Sequence, residues 1–410
     1  MRHAPSLVLA LAALGCGSGD GMPGTTDGGT DANAGPVAIA DHEFGAFQAW
    51  ATPIEDYRAV GEKLFSGAYA QGIHDLAPLS DRLTLGYGDG NVNMGEHIAI
   101  DFRAFTSPDD PGPVSEEASF EEQLDRYRLL DEVLWQAGVD SNDADELRVR
   151  PLIAGNVYHR AADGWRKHRT VLGGEHVHDI ARFEGDLFAV GSGADNRTEF
   201  ESGQIFRYVW QSHDDGDTFT TVRRVMFTGG DTRWVHLLVT TGALFVFGYE
   251  SNAGVATIRN ARYASGEVTD LDAGPLSTLF ATATDPLPDG SGLLRGIDAA
   301  TVDRPNQIWR VHSEGDVAVL GELAGRSVVD VSVREETGEI LYLALDGDDS
   351  AALGPPYGVA VLFATVAEPG SIEEIARFDT EVTPRSIAFW QGSLFLGTDD
   401  AQVLRAVGQP

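Results

Sequence analysis

Through most of the chain, apolar residues recur at every second position in short runs broken by polar turns, the period of half-buried β-strands and not of helices. The clearest runs are IHDLAPLSDRLTLG over 73–86 and VHDIARFEGDLFAVG over 177–191. Each reads as a strand, a polar two-residue turn and a second strand. WVHLLVTTGALFVFG (234–248) and RSIAFWQGSLFLG (385–397) repeat the pattern. Fainter copies lie at 123–138, around Asp289-Gly290 within 279–296, and at 328–345. Seven copies therefore begin near residues 73, 124, 177, 235, 279, 328 and 386, about fifty residues apart.

Behind several of these hairpins a second strand pair follows. GQIFRYVW (203–210) leads through SHDDGDTF (212–219) into residues 219–222, and 156–159 lead through 161–165 into 170–171. Four antiparallel strands in every forty to sixty residues predict an all-β chain folded as a β-propeller of seven blades, with six as the alternative count and a pair of β-sandwiches as the competing architecture. The last hairpin runs almost to Pro410, so its blade lacks an outer strand. Residues 44–68, with a strand-like Tyr57-Arg58-Ala59-Val60, are expected to complete that blade and close the ring without a free edge. A helical pattern is read only over Glu116 to Glu132. The organisation is then residues 1–15 as an export signal, 16–40 as a tether and 41–410 as one propeller domain.

Composition narrows the partners. Acidic residues outnumber basic ones 63 to 29, a formal charge of −34, which opposes the clustered Lys and Arg that nucleic acid requires. Such acidity suits solubility in a salty or extracellular setting. The single cysteine, Cys16, rules out an internal disulfide and a cysteine zinc site. It ends an N-terminal segment in which Arg2 and His3 precede an apolar run from Leu7 to Leu14, too short to span a bilayer. Ala13-Leu14-Gly15-Cys16 resembles the bacterial lipoprotein signal, with Leu and not Ala directly before the glycine. The resemblance implies a lipid on Cys16 and a membrane-anchored envelope protein; cleavage and secretion is the alternative. Residues 17–36 combine Gly, Asp, Thr and Pro with almost nothing to bury, the composition of a flexible stalk. By the sorting rule of such lipoproteins, Gly17 and Ser18 after the cysteine point to the outer membrane.

The octet SHDDGDTF matches Ser-x-Asp-x-Gly-x-Thr-aromatic through Ser212, Asp214, Gly216, Thr218 and Phe219. It resembles the Asp-box, or bacterial neuraminidase repeat, of sialidase-like propellers, and a degenerate copy runs from Arg160 to Trp165. The chemistry of the spacing is that of a turn: Asp214 accepts backbone N–H groups across the loop, Gly216 takes a positive φ, and Phe219 returns to the sheet as a packing group. The resemblance implies a structural turn between third and fourth strands, on the side away from the ligand mouth. It would also imply three arginines for a carboxylate, a Tyr–Glu nucleophile pair, an acid/base Asp and an early Arg-Ile-Pro. Arg148-Val149-Arg150-Pro151 and Arg304-Pro305 do not match that motif, and Arg126, Arg326 and Arg385 are the inner-strand arginines on offer.

Candidate ligand-binding residues are His74, Asp75, His178, Asp179 and His236, at the starts of inner strands that would line a central channel. The structural alternative is that they tie neighbouring blades together around the axis. The acidic loops 86–91 and 346–349 offer oxygen ligands to Ca2+ but lack EF-hand spacing, so no cofactor and no metal residue is assigned. Trp135, Trp165, Trp210, Trp309 and Trp390 fall at strand positions and are read as blade packing. The function expected is a monomeric, non-catalytic, surface-exposed module that binds a glycan or an envelope protein. A glycoside hydrolase or lyase, and a purely structural scaffold, are the alternatives.

Overall fold

The computed structural model describes residues 39, 44–119, 121–140, 153–227, 230–252, 255–284, 286–298, 307–321, 326–334, 337–346 and 355–408. The lipoprotein signal with Cys16, the 17–36 stalk, Arg148–Pro151, Arg304-Pro305 and 347–349 lie outside the described residues.

Seven antiparallel sheets, each of four strands in consecutive order from the axis outward, form a β-propeller. The inner strands are Asp75–Leu79, Tyr127–Leu130, His176–Phe183, Asp231–Thr240, Leu279–Ala283, Arg326–Arg334 and Pro384–Trp390, one for each of the seven hairpins read from the sequence. Short extra strands, Gln123–Leu124 and Val255–Ile258, flank blades 1 and 4. The seventh blade takes its outermost strand, Phe44–Ala51, from the start of the propeller domain, paired to Val403–Gly408. The N-terminal closure expected from the short last blade is therefore present. It also explains why the ring needs no exposed edge there.

Two local expectations fail. Tyr57-Arg58-Ala59-Val60 belongs to a helix, Glu55–Phe65, and not to a strand. Its buried residues, Tyr57 and Gly61, are one turn apart, and Gly61 approaches the Tyr69 ring so closely that a methyl there would clash at 2.2 Å. The segment 116–132 is not helical: it ends the strand Val114–Ala118, adds Gln123–Leu124 to blade 1 and opens blade 2 with Tyr127–Leu130. Leu124, Tyr127 and Leu130, spaced three apart, imitate a helix face but are buried in two different sheets.

Alternation of direction sorts the loops to two ends of the ring. Inner strands start, and second strands finish, at one end, called the mouth; turns between third and fourth strands lie at the other, the base. At the mouth end, the inner strands of blades 3, 4, 6 and 7 carry a register shift between Val177 and Asp179, Trp234 and His236, Val328 and Asp330, and Pro384 and Ser386. Each bulge redirects the residue that follows it. Glycine faces several of these bulges because the chains approach too closely for a side chain. A methyl on Gly191 would stand 1.9 Å from the His176 carbonyl oxygen, and one on Gly248 2.1 Å from that of Arg233.

Candidate functional site at the channel mouth

The residues redirected by the bulges, with their counterparts in the unbulged blades, form a polar ring just inside the mouth. Three of them are aspartates that repeat one contact. Asp75 Oδ2 accepts the Tyr127 N–H of blade 2, Asp179 Oδ2 the Leu237 N–H of blade 4, and Asp330 Oδ2 the Ile387 N–H of blade 7, each at 2.8 Å. Ser386 closes the circle by donating to the Ile73 carbonyl at 3.0 Å. For Asp75 and Asp179 the structural alternative posed from sequence is thus realised: they tie adjacent blades.

Asp179 is the most fully engaged. Arg128 meets it with two parallel bonds, Nε to Oδ1 at 2.9 Å and Nη2 to Oδ2 at 2.7 Å, and donates also to the Leu237 carbonyl. The Ile180 N–H adds a further bond to Oδ1. Arg126 Nη1 lies 3.8 Å from the same carboxylate, and its Nη2 reaches across to the Ala283 carbonyl of blade 5. Burial opposes ionisation of Asp179, yet Arg128 and Arg126 hold its carboxyl down at about 2.

Asp75 and Asp330 repeat the latch without that arginine fork. Each keeps one oxygen, Oδ1, buried and without a partner. Burial raises Asp330 to about 7 against the pull of Arg295, and raises Asp75 well above the ordinary carboxylate range against the Tyr127 N–H. His236 stands at the ring position that Asp179 holds in blade 3, so it aligns with the aspartate of the His178-Asp179 pair and not with its histidine. Burial, reinforced by Arg126, lowers its imidazole to about 3. His178 sits on the bulge and burial likewise pushes it well below 6.5. His74 turns back to the Gly88 carbonyl, 3.0 Å from Nε2. All three histidines remain partly exposed toward the mouth, whereas Asp75, Asp179 and Asp330 do not.

Above the ring, between blades 2, 3 and 4, lies a second group. His176 stacks on His178 with ring centroids 5.8 Å apart, and its Nε2 is 3.6 Å from Asp140 and Nδ1 3.9 Å from Glu175. Burial lifts Glu175 to about 7, partly offset by His176. Glu122 is raised by burial to about 7 as well, although the Gly95 N–H donates to it.

Arg126, Arg326 and Arg385 do not converge. Arg326 pairs with Asp346 and Glu374, and Arg385 lies 3.8 Å from Asp399, both away from the ring. The guanidinium groups that do gather at the axis belong to Arg126, Arg128 and Arg295, all buried. Arg128 shares a strand face with Arg126 two residues away, a signal available in the pattern YRLL after Arg126. Asp330 lies in the apolar run VVDVSV, where nothing in the sequence singles it out. Asp89 of the acidic loop 86–91 is spent on the backbone, accepting from Asn91 N and Ala70 N. Among the described residues no group of three or more His, Cys, Asp or Glu has a metal-binding arrangement.

The octet occupies the base, between the third strand of blade 3, Ile205–Ser212, and the outer strand, Thr220–Phe227. Ser212 Oγ accepts the Gly216 N–H at 2.9 Å, and Asp214 accepts both the Thr218 N–H and the Thr218 hydroxyl at 2.8 and 2.6 Å. Gly216 has φ +89°. Phe219 is buried in the cluster that holds Trp135 of blade 2, and Thr170 of blade 2 donates to the Gly216 carbonyl. The degenerate copy lies at the same place in blade 2, where Trp165 stacks on Phe102 of blade 1 at 3.9 Å. In both blades the turn returns an aromatic wedge against the preceding blade. The five tryptophans read as packing residues are all buried.

No family model matches the chain, and no curated protein matches it. Among solved structures it is similar to a catalytically inactive virginiamycin B lyase from Staphylococcus aureus in complex with quinupristin, at 11% identity and TM-score 0.45, over 83% of this chain and 97% of that one. It is also similar to the GH93 α-L-arabinofuranosidase of Fusarium graminearum with arabinobiose, at 11% identity and TM-score 0.44, over 80% and 99% of the two chains. A third is a TolB-like protein from Agrobacterium tumefaciens, at 15% identity and TM-score 0.36, over 69% and 89%.

Proposed function

We propose that this chain is a non-catalytic binding module of the bacterial cell surface, anchored through a lipid on Cys16 and taking a glycan at its channel mouth. An envelope protein is the other ligand class. The observation that carries the reading is the use made of the axial charges: Asp179 is consumed by Arg128 and two backbone N–H groups, and Asp75 and Asp330 each hold the next blade. Groups committed to closing the ring are poor candidates for moving protons in a reaction. Binding then falls to the partly exposed rim of His74, His178, His236 and the Glu175–His176 group. The topology supports the orientation, since the closing strand starts at the base with Phe44 opposite Gly408. A stalk entering there turns the mouth away from the membrane.

A glycan array probed with the full-length protein in detergent is the direct test; binding lost on His178→Ala with an unchanged melting temperature is expected, and a blank array overturns the glycan reading. For the anchor, Cys16→Ser protein is expected in the soluble fraction, and its persistence in membranes refutes lipidation. One observation favours the hydrolase or lyase alternative: Glu175 at about 7 beside His176 has the ionisation of a general acid. Turnover of any bound glycan that disappears in Glu175→Gln would establish it.

A further inference from the structure

We propose that His159 and His168 form an acid-sensitive clasp at the base, which seats the octet turn of blade 3 on blade 2 and releases it when both imidazoles are protonated. The two lie on the third and fourth strands of blade 2, Ala154–Ala161 and Gly164–Leu172. The register sets Trp135, His159 and Arg166 side by side across three strands, and His168, two residues beyond Arg166, falls on the same face. His168 Nε2 is 2.9 Å from His159 Nδ1, and His168 Nδ1 is 3.4 Å from Oδ1 of Asp217 in the octet. The Trp135 ring lies 4.8 Å from that of His159 and 6.0 Å from that of His168, between centroids. The octet turn rests on this layer: a methyl on Gly216 would stand 3.5 Å from His168 Cγ and 3.5 Å from Trp135 Cζ3. Two residues along the strand, Thr170 donates to the Gly216 carbonyl at 2.6 Å.

Two imidazole nitrogens 2.9 Å apart have room for one proton between them. Asp217 favours a proton on His168 Nδ1, which leaves His168 Nε2 to accept the His159 Nδ1–H. A first added proton can enter at the far nitrogen of His159 without disturbing the contact. The second must enter at His168 Nε2, where it meets the His159 Nδ1–H. The rings then part, and the support of the octet turn goes with them.

The charges facing the pair are Arg166 on the same face of blade 2 and Asp214, Asp215 and Asp217 of the octet. Asp215 is engaged by Arg182, which also holds Asp131. Arg160 turns to Glu116 of blade 1 at 3.5 Å, and Lys167 and Arg169 alternate to the other face of their strand. Burial lowers both imidazoles below 6.5; His168 and Arg166 add to the effect on His159, and Asp217 opposes it on His168. The closed seam therefore binds fewer protons than the open one. Its stability is complete above pH 6.5 and is lost as pH falls below that value. The carboxyl groups of the mouth, Asp330 and Glu175 at about 7, respond the other way, so acid loosens the base while it favours the mouth ring.

The test is amide hydrogen exchange of the full-length protein at pH 8 and pH 5, corrected for the intrinsic rate and read by mass spectrometry over peptides covering 164–172 and 212–219. Protection in these peptides is expected to fall about tenfold or more at pH 5. His159→Gln and His168→Gln each keep a hydrogen-bonding group in place but cannot take up the second proton. Both are expected to retain protection at pH 8 and to lose its fall at pH 5. Asp217→Asn removes the anion that supports a charged His168 and is expected to enlarge the fall. Wild-type protection equal at the two pH values overturns the proposal, as does an equal fall in both glutamine variants. Loss of protection spread evenly into the inner-strand peptides at the mouth also overturns it, because the seam would then not open locally.

Discussion

The octet at the base and the aspartate ring at the mouth are both compact polar clusters, and they have opposite economies of hydrogen bonds. In the octet, Ser212, Asp214 and Thr218 bond within one eight-residue segment, and Asp214 is open to solvent. In the ring, the partners come from different blades and the groups are buried, so an unfilled atom has no water-exposed alternative. The octet is a fold device: its side chains fix one turn and seat Phe219 against blade 2. The ring, by contrast, holds separate blades together.

The largest effect expected in this comparison is at the complete latch. Asp179→Ala leaves the Arg128 and Arg126 guanidiniums buried without their carboxylate and is expected to cost about 3–5 kcal/mol, measured by urea unfolding. A loss under 1 kcal/mol would mean that the latch does not hold blades 2, 3 and 4 together. Next comes the wedge of the octet. Phe219→Ala opens a cavity between blades 2 and 3 and is expected to cost about 3 kcal/mol by the same measurement.

The third prediction separates the two clusters by pH. Asp330 is raised to about 7 from 3.8, so the folded state binds more protons than the unfolded chain between those values. Stability from this group is present at low pH and is lost as pH rises toward 7, at up to about 1.4 kcal/mol per pH unit. Asp214 is lowered by its bonds from Thr218 and Ser212, so its contribution runs the other way, present above 3.8 and lost on acidification. Comparing chemical denaturation at pH 5 and pH 8, Asp330→Asn is expected to reduce the fall in stability between them; an unchanged pH slope would contradict the burial-driven shift. The smallest effect is expected at Ser212→Ala, which strands the Gly216 N–H for about 1–2 kcal/mol and leaves sugar binding at the mouth untouched. Impaired binding in this variant would break the division of labour between base and mouth.

Much of the architecture was legible because β-structure writes itself locally. Period-two alternation located all seven inner strands, five of them in hairpins with two-residue turns. Where local pattern was ambiguous it misled: Tyr57 to Val60 carries apolar residues that suit a strand, but packing against Tyr69 makes it a helix. At the axis, Asp75, Asp179 and the three histidines stand out in the sequence by their position at strand starts, whereas Asp330, Arg128 and Arg295 do not, and Arg326 and Arg385 lie apart from Arg126 in the fold.

By itself the sequence determined the repeat, the propeller class and the turn chemistry of SHDDGDTF, since each depends on residues close together in the chain. Only the tertiary structure decided which polar residues of the axis are spent and which remain open. Asp75 meets Tyr127 across 52 residues, Asp179 meets Leu237 across 58, and Ser386 meets Ile73 across 313. Such pairings follow from ring closure and bulge geometry, which set side-chain direction through contacts between blades, and one-dimensional spacing carries no trace of them.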